Sequence, residues 1–355
     1  MPFYNNLDPK IRADRWTAVG LLRLRSAIGK KIPRKRMDGN LLVATWNIRE
    51  FGGTKFKPRS KEALFYLAEV ISAFDLVAVQ EVRSNCGDFN RLMKLLGSWW
   101  RYLLTDVTLG SRGNDERLAF LYDSRKVSFG GFASQVVLPP IESGKPRKRT
   151  PVEQLARTPF VVGFRSGWLK FTICTAHILY GPAVAAPPER IQDIKDLARF
   201  LAKRTRDQNA WAKNMIVLGD FNIFKPKDAT FAALSGAGFK IPKRLQDMPS
   251  NTAGGKHFDQ IAFIAPDLED KLELSEAGVL NVFKTVFTDK PKDLKFYAPS
   301  KGKTAYKTWR TYQLSDHLPM WIELRTDFSA KYLQRTMCGK GPTISLDETS
   351  PPATG

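Results

Sequence analysis

Residues 41–47 read LLVATWN, an apolar run of strand length that ends on the polar side chain of Asn47. A near-continuous apolar run of this length is typical of a β-strand that is buried on both faces. Only the ends of such a strand can meet water or a ligand. The polar residue at the end of the run is therefore a candidate functional residue.

Seven further runs share this pattern or reverse it. Three end on a polar residue: residues 75–81 on Glu81, residues 171–177 on His177, and residues 215–220 on Asp220. Four begin after one: Glu116 precedes 117–122, Arg157 precedes 159–164, Asp259 precedes 260–264, and Asp316 and His317 precede 318–324. If the second group of strands runs antiparallel to the first, all these polar residues lie at one edge of the fold, which we call the rim.

The oxygen-bearing residues of the rim indicate a hard divalent cation. Magnesium takes one or two carboxylates, keeps several waters and lets a substrate phosphate complete its coordination shell. Glu81 and Asn47 are suitable ligands, and Asp316 is a further candidate. Asp220 and Asn222 are two residues apart, so on extended chain they would face the site together. There a carboxylate can orient water and an amide can donate to a phosphoryl oxygen.

The rim also holds two of the three histidines, His177 and His317. A histidine acts as a general acid or base when a carboxylate orients its ring and raises its pKa. Glu116 is the candidate partner of His177, and Asp259 that of His317. Arg157 would neutralise charge that develops on a pentacoordinate phosphorus. The set predicts metal-assisted hydrolysis of a phosphoester.

Composition points to a polyanionic partner. The chain of 355 residues has 56 Lys and Arg against 35 Asp and Glu, a net charge of +21. Such a balance favours nucleic acid or an anionic membrane surface, although an excess of charge can also serve solubility alone. The three cysteines fit neither a disulfide framework nor a zinc site. With no apolar run of about 18 residues and no secretory signal, we expect a cytoplasmic monomer.

Alternation of strand and helix patterns predicts one β/α domain with mixed sheets and short extensions. We assign residues 1–39 to a helical and basic extension, 40–326 to the catalytic domain, and 327–355 to a partly disordered tail. Residues 285–310 are rich in lysine and aromatic residues. They are expected to form a loop that binds a phosphate backbone, with Lys303 and Trp309 as contacts, or else an ordinary exposed loop.

Eight ordered stretches resemble the endonuclease/exonuclease/phosphatase superfamily. They are TWNIREFG (45–52), QEVR (80–83), ERLAFLYD (116–123), RTPFVV (157–162), TAH (175–177), GDFN (219–222), FDQIAF (258–263) and SDHLP (315–319). The resemblance covers roughly residues 40–325 and is strongest to the deoxyribonuclease I branch. It implies a four-layered α/β sandwich, in which two packed mixed β-sheets are flanked by helices, and dependence on Mg²⁺ or Mn²⁺.

The resemblance also implies roles for individual residues. Asn47 and Glu81 resemble metal ligands of the family. The pairs Glu116–His177 and Asp259–His317 resemble its acid–base couples, and Asp220 and Asn222 its phosphate-site residues.

Arg49 and Arg83 resemble arginines that contact DNA in the deoxyribonuclease branch. Asn114 stands where a groove-contacting tyrosine is expected, which is a departure from the pattern. The leading hypothesis is an endonuclease of low sequence specificity that prefers DNA to RNA. The alternatives are a phosphatase for inositol or lipid phosphates and a non-catalytic nucleic-acid-binding module.

Overall fold

The computed structural model of the chain describes residues 2–53, 58–110, 112–143, 148–265, 274–297 and 302–339. Its strands within these ranges are β1 (Asn40–Phe51), β2 (Leu76–Arg83), β3 (Trp100–Leu104), β4 (Glu116–Asp123), β5 (Ser128–Gln135), β6 (Ile141–Ser143), β7 (Lys148–Thr150), β8 (Phe160–Ser166), β9 (Leu169–His177), β10 (Met215–Asp220), β11 (Asp259–Ile264), β12 (Leu274–Val279) and β13 (Met320–Arg325). Its α-helices are α1 (Arg12–Lys31), α2 (Lys61–Ser72), α3 (Gly87–Leu96), α4 (Pro188–Thr205), α5 (Ala229–Ser235), α6 (Lys243–Gln246), α7 (Pro291–Tyr297), α8 (Lys303–Gln313) and α9 (Ser329–Met337), and a 3₁₀ turn covers Val282–Lys284.

The strands form two large mixed sheets and a small hairpin. The first sheet has the order β12-β13-β1-β2-β4-β3 and the second the order β11-β10-β9-β8-β5, while β6 pairs with β7. β1 is parallel to β2, and β9 is parallel to β10. The strands β13, β4, β8 and β11 run antiparallel to these neighbours. The strand directions that the rim requires are therefore confirmed.

The side chains of β1 point alternately to its two faces, and both faces are covered, which explains why its sequence is apolar at nearly every position. Leu41 and Val43 point into the core between the two sheets, whereas Leu42, Ala44 and Trp46 pack beneath the helices α2 and α3. Successive side chains of a strand point to opposite faces, so a strand covered on both sides needs apolar residues throughout.

Helix α4 covers the outer face of the second sheet in the same way, with Ile194 and Leu201 in one cluster with Val217 of β10. The order of layers is therefore helix, sheet, sheet, helix. This confirms the predicted four-layered α/β sandwich.

Three polar side chains interrupt the apolar core where it approaches the rim. The Gln80 amide donates hydrogen bonds to the hydroxyls of Thr175 (2.8 Å) and Thr45 (3.1 Å), and all three residues are buried. Thr45 and Gln80 belong to the first sheet and Thr175 to the second. Because buried polar groups are costly unless paired, this triad holds the two sheets in one register at the base of the site.

The start of α2 and the packing of α1 follow from local sequence: a capping serine in one case and apolar residues on one face in the other. Ser60 caps α2, since its hydroxyl accepts a hydrogen bond from the backbone N–H of Ala63 at 3.1 Å. The helix of the N-terminal extension lies at Arg12–Lys31. Leu21 and Leu24 of this helix are buried in the same core cluster as α2. Helix α1 therefore packs directly on the sandwich.

The prediction that residues 285–310 form a loop is wrong. This segment contains α7 and most of α8, and Tyr306 in α8 is only 1% exposed. The lysine-rich composition indicated a loop, but the segment forms two short amphipathic helices whose aromatic side chains face inward.

Trp309 of α8 takes part in this packing. Its ring lies 5.2 Å from the ring centroid of Phe287 and 5.2 Å from that of Tyr297, and it packs against the core beneath α2. These contacts bury the ring only in part, and a nucleic-acid contact by Trp309 stays a prediction. Lys303 is exposed at the start of α8, and its role stays a prediction.

The C-terminal segment is helical where the structure describes it, over α9. Residues 340–355 of the predicted disordered tail lie outside the described residues, as do residues 145–147 between β6 and β7. Among the helices that are described, none combines the length and apolar character needed to cross a bilayer.

Gly219 in β10 generates a prediction about stability. Its φ is +135°, and a Cβ built there would lie 2.0 Å from the carbonyl oxygen of Ala176 on β9. Gly219→Ala should therefore lower the free energy of unfolding by on the order of 3 kcal/mol. The matched control is Gly29→Ala in α1, where nothing lies within 4 Å of the added methyl. Urea titration of both variants checks this, and an equal effect on both would contradict it.

Candidate active site

Strand register places the first three residues of the site side by side. Asp220 at the end of β10 is directly opposite His177 on β9 and directly opposite Asp259 on β11. All three are buried, at 5% exposure or less. The second sheet therefore presents a carboxylate flanked by a histidine and a second carboxylate.

The first sheet supplies the facing residues. The side-chain amide of Asn47 donates to Glu81 Oε1 at 3.0 Å and to Asp220 Oδ2 at 2.9 Å. Asn47 lies in β1 and Glu81 in β2 of one sheet, and Asp220 ends β10 of the other. One amide group therefore bridges two carboxylates across the interface between the sheets.

A backbone irregularity turns Glu81 toward this amide. The β1–β2 ladder shifts register between Asn47 and Phe51, and Glu81 has a φ of +61°. The backbone N–H of Glu50, whose own φ is +49°, donates to Glu81 Oε2 at 2.8 Å. Left-handed backbone at non-glycine residues is sparsely populated and concentrates at functional sites. Burial opposes ionisation of Glu81, but the charge of His177 and these two donors hold its pKa below the usual range.

The first histidine pair joins the two sheets. His177 Nδ1 lies 2.6 Å from Glu116 Oε1, and Arg157 Nε lies 3.1 Å from the same oxygen. Burial and Arg157 disfavour the imidazolium, yet Glu116 outweighs both and the pKa of His177 is raised. The other ring nitrogen of His177 is 3.5 Å from Asp220 Oδ2.

The second histidine pair mirrors the first with the sheets exchanged. His317 Nδ1 lies 2.8 Å from Asp259 Oδ2, and its Nε2 is 3.6 Å from Asp220 Oδ2. Burial disfavours the charged ring, but Asp259 and Asp220 raise the pKa of His317 well above its ordinary value. Burial also opposes ionisation of Asp220, and the two histidines nevertheless lower its pKa. An ionised carboxylate therefore lies between two imidazoles.

The prediction that Asp220 and Asn222 lie on extended chain is wrong. Asn222 has a φ of +52°, so the chain is not extended there. Its backbone N–H donates to Asp220 Oδ1 at 2.9 Å, and its side-chain amide donates to the carbonyl of Ile178 at 2.8 Å. In this conformation Asn222 orients the Asp220 carboxylate and the chain that follows β9.

Asp316 lies at the margin of the network. Its carboxylate is 3.5 Å from Arg49 Nη1 and its side chain is 42% exposed. Arg49 also donates to Thr311 (2.9 Å) and Tyr312 (2.7 Å), and its guanidinium lies 3.9 Å from the centroid of the Tyr312 ring. These contacts attach α8 to the end of β1. A metal-ligand role for Asp316 and a nucleic-acid contact by Arg49 stay predictions.

Arg83 is largely buried. Its guanidinium contacts Glu50 Oε1 at 2.6 Å and donates to the carbonyl of Asn114. It therefore ties the end of β1 to the loop before β4, and its predicted contact with DNA stays a prediction.

Sequence reasoning missed two residues that shape the rim. The Ser315 hydroxyl donates to the carbonyl of Asn47 at 2.6 Å and accepts the backbone N–H of His317 at 3.0 Å. Arg59 is buried and donates to the carbonyl of Glu50 at 3.2 Å, and burial lowers its pKa to about 10. Ser315 could have been noticed beside Asp316 and His317, whereas nothing distinguished Arg59 from the other basic residues.

One unsatisfied atom identifies where a cation fits. Asn47 Oδ1 is buried and has no hydrogen-bond partner, and Glu81 lies beside it. An amide oxygen and a carboxylate suit a hard divalent ion. The described residues contain no cluster of three or more His, Cys, Asp or Glu able to enclose a metal. Two oxygen donors suit a cation such as magnesium, which keeps several waters and takes a substrate phosphate into its shell.

The bridging amide generates a prediction. Asn47→Asp replaces the donor between Glu81 and Asp220 with a third carboxylate, which should lower the free energy of unfolding at pH 7.5 by about 2 kcal/mol. The new carboxyl group would have a raised pKa, so protonation should restore part of that stability as the pH falls. Thermal unfolding at pH 5 and pH 7.5 in EDTA measures this, with the exposed Asn6→Asp as control. A loss of stability that is equal at pH 5 and pH 7.5 would contradict the prediction.

The model of the Endonuclease/Exonuclease/phosphatase family matches residues 44–317. Deoxyribonuclease-1 of Oryctolagus cuniculus is 24% identical over 262 residues, which cover 69% of this chain and 85% of that protein. Deoxyribonuclease-1 of Mus musculus is 25% identical over 199 residues, which cover 53% of this chain and 62% of that protein.

Solved structures share the fold at low identity. Humanized D. rerio TDP2 aligns with a TM-score of 0.52 and 14% identity, over 80% of this chain and 98% of that one. The human Nocturnin catalytic domain with bound sulfate gives a TM-score of 0.51 and 16% identity, over 82% and 96% of the two chains. The mannosyl-6-phosphatase Bt3783 of Bacteroides thetaiotaomicron gives 0.51 and 14%, over 80% and 99%.

The family match spans more than half of the chain and includes every residue of the network built above. The chain therefore belongs to the endonuclease/exonuclease/phosphatase family, whose members are hydrolases of phosphoester bonds and generally depend on a divalent metal ion.

Proposed function

We propose that the protein is a metal-dependent endonuclease of low sequence specificity that hydrolyses phosphodiester bonds of nucleic acid, with DNA preferred. The observation that carries this proposal is the ionised Asp220 between two histidines, each held through Nδ1 by a buried carboxylate. The net charge of +21 supports a polyanionic substrate. The similarity to deoxyribonuclease-1 supports DNA.

The two histidines suit complementary steps of in-line displacement. Asp220 orients a water molecule, and His177 Nε2 accepts its proton as the water oxygen forms a bond to phosphorus. The bond from phosphorus to the leaving oxygen breaks, and His317 Nε2 donates a proton to that oxygen. Although burial disfavours the charged ring, Asp259 and Asp220 raise the pKa of His317 well above its ordinary value, which favours His317 as the proton donor.

The remaining residues of the network stabilise charge. Arg157 lies beside Glu116 with its Nη1 buried and without a hydrogen-bond partner, so it can approach a phosphoryl oxygen as negative charge develops. Asn47 and Glu81 would hold Mg²⁺ or Mn²⁺, which supplies a Lewis acid for the phosphoryl group when it is bound.

Nicking of supercoiled plasmid DNA tests the proposal. The native chain should nick DNA with Mg²⁺ and be inactive in EDTA. Glu81→Ala and His177→Ala should each lose about 10²- to 10⁴-fold in rate, because one removes a candidate metal ligand and the other the proposed base.

His257→Ala is the matched control, because His257 is the one histidine that stands at neither the start nor the end of a candidate strand run, and this variant should keep its activity. Nicking that survives EDTA, or full activity in both site variants, would refute the proposal. Turnover of inositol phosphates without cleavage of DNA would favour a phosphatase instead.

The histidine assignments predict the pH profile. Activity should be bell-shaped, since His177 must be neutral and His317 protonated. Asp259→Asn removes a carboxylate that raises the pKa of His317, so the alkaline limb of kcat/KM should move to lower pH. Glu116→Gln should lower the pKa of His177 and move the acidic limb to lower pH.

Initial rates on one oligonucleotide between pH 4.5 and 10 would measure both limbs, given the ordinary histidine pKa of about 6.5. If Asp259→Asn moved the acidic limb and Glu116→Gln moved the alkaline limb, the roles of the two histidines would be reversed.

A further inference from the structure

The carboxylate of Glu81 is oriented by backbone in an unusual conformation. Its Oε2 accepts the backbone N–H of Glu50 at 2.8 Å. Glu81 and Glu50 have φ angles of +61° and +49°, and the β1–β2 ladder shifts register at this point. Residues that carry a Cβ adopt this left-handed conformation rarely, and it persists only where the surrounding structure holds it. The orientation of this candidate metal ligand therefore depends on the groups that hold Glu50.

Arg59 supplies that support. Its side chain is buried, and its guanidinium donates to the carbonyl of Glu50 at 3.2 Å and to the carbonyl of Arg49. The same guanidinium lies 4.9 Å from the ring centroid of Phe51. Arg59 thus contacts three consecutive residues at the end of β1. A guanidinium presents its donors in a rigid planar fork and can fix two carbonyls at once, whereas the ammonium of a lysine is a flexible point charge.

Arg59 is itself anchored by two helices. Asp88 Oδ2 at the start of α3 accepts the backbone N–H of Arg59 at 3.1 Å and lies 3.8 Å from its Nη1. Arg91 of the same helix donates to the carbonyl of Arg59 at 3.2 Å and to Asp88 Oδ1 at 3.0 Å. Gln313 at the end of α8 accepts the backbone N–H of the next residue, Ser60, at 2.9 Å. The position of the guanidinium is therefore fixed from outside β1.

Arg59 keeps its charge in this buried position. Burial lowers its pKa to about 10, against the opposing effect of the negative charges of Asp88 and Glu81. The guanidinium is therefore protonated at neutral pH. Its Nε is buried and finds no hydrogen-bond partner in the part of the chain that the structure describes. A buried charge with one unpaired N–H is costly, so stability alone does not account for an arginine at this position.

We propose that Arg59 is a positioning residue that sets the affinity of the site for its divalent cation. By fixing the carbonyls of Arg49 and Glu50, it fixes the backbone N–H of Glu50 that orients the Glu81 carboxylate. Loss of a group that orients a metal ligand typically lowers metal affinity by about 10- to 100-fold. This inference rests on the proposed function, in which Glu81 holds the cation, and adds to it the residue that tunes metal binding.

Titration with Mn²⁺ in the absence of nucleic acid tests this inference, because free Mn²⁺ can be quantified by electron paramagnetic resonance. Arg59→Lys keeps the positive charge but loses the planar fork, so the Kd for Mn²⁺ should rise about tenfold. In plasmid nicking, the Mg²⁺ concentration for half-maximal rate should rise by the same factor. The rate at saturating Mg²⁺ should stay close to that of the native chain, since Arg59 acts only through Glu50 and Glu81.

Arg91→Lys is the matched control. Arg91 shares the carboxylate of Asp88 with Arg59 and takes the same substitution, but its contacts described above are with Asp88 and Arg59 and not with β1. This variant should keep the native Kd for Mn²⁺. Asp88→Asn is a second test that leaves Arg59 in the chain. It removes the charge that holds the guanidinium and should raise the Kd in the same direction by a smaller factor.

The outcomes separate this inference from the proposed function. If Arg59→Lys lowers the Tm but leaves the Kd for Mn²⁺ at the native value, Arg59 has only a structural role and the inference is overturned. If Arg59→Lys does not fold, an unchanged Kd in Asp88→Asn overturns it instead. In both cases nicking of DNA by the native chain would leave the proposed function standing. If the native chain binds no Mn²⁺, the metal site of the proposed function fails and the inference fails with it.

Discussion

The site depends on one amide group. Asn47 donates both to Glu81 in its own sheet and to Asp220 in the opposite sheet, and without it these two carboxylates would lose the donor that they share. Sheets that pack face to face lie about 10 Å apart, so their strand-end side chains meet only when they point inward. The bridging amide thus ties the spacing of the two sheets to the positions of the reacting groups.

The two histidine pairs obey the same constraint. His177 is on the second sheet and its partner Glu116 is on the first, whereas His317 precedes β13 of the first sheet and its partner Asp259 is on the second. Each pair therefore forms only when the sheets are stacked. The apolar inner faces drive that stacking, and the triad around Gln80 sets its register close to the rim. Fold and site are consequently specified by the same interface.

Much of this arrangement could be predicted from the sequence, because it follows from the apolar pattern of buried strands and from the polar residues at their ends. A run such as residues 41–47 indicates both burial on two faces and a polar terminus, and eight such runs in order indicate a common rim. What the sequence did not disclose depends on contacts between distant segments. The left-handed conformation of Asn222 follows from hydrogen bonds to Asp220 and Ile178, and the inward face of Trp309 depends on helices that local composition concealed. Arg59 looks like any other basic residue until the backbone that it supports is in place.

The pairing of β1 with β13 has a consequence for synthesis of the protein. β1 occupies an interior position of its sheet, and its neighbour on one side is the last strand, with Asn40 opposite Arg325. A nascent chain that has not yet released β13 from the ribosome has no partner for that side of β1 and has not yet positioned His317. The second histidine pair is therefore completed only after β13 has joined the sheet.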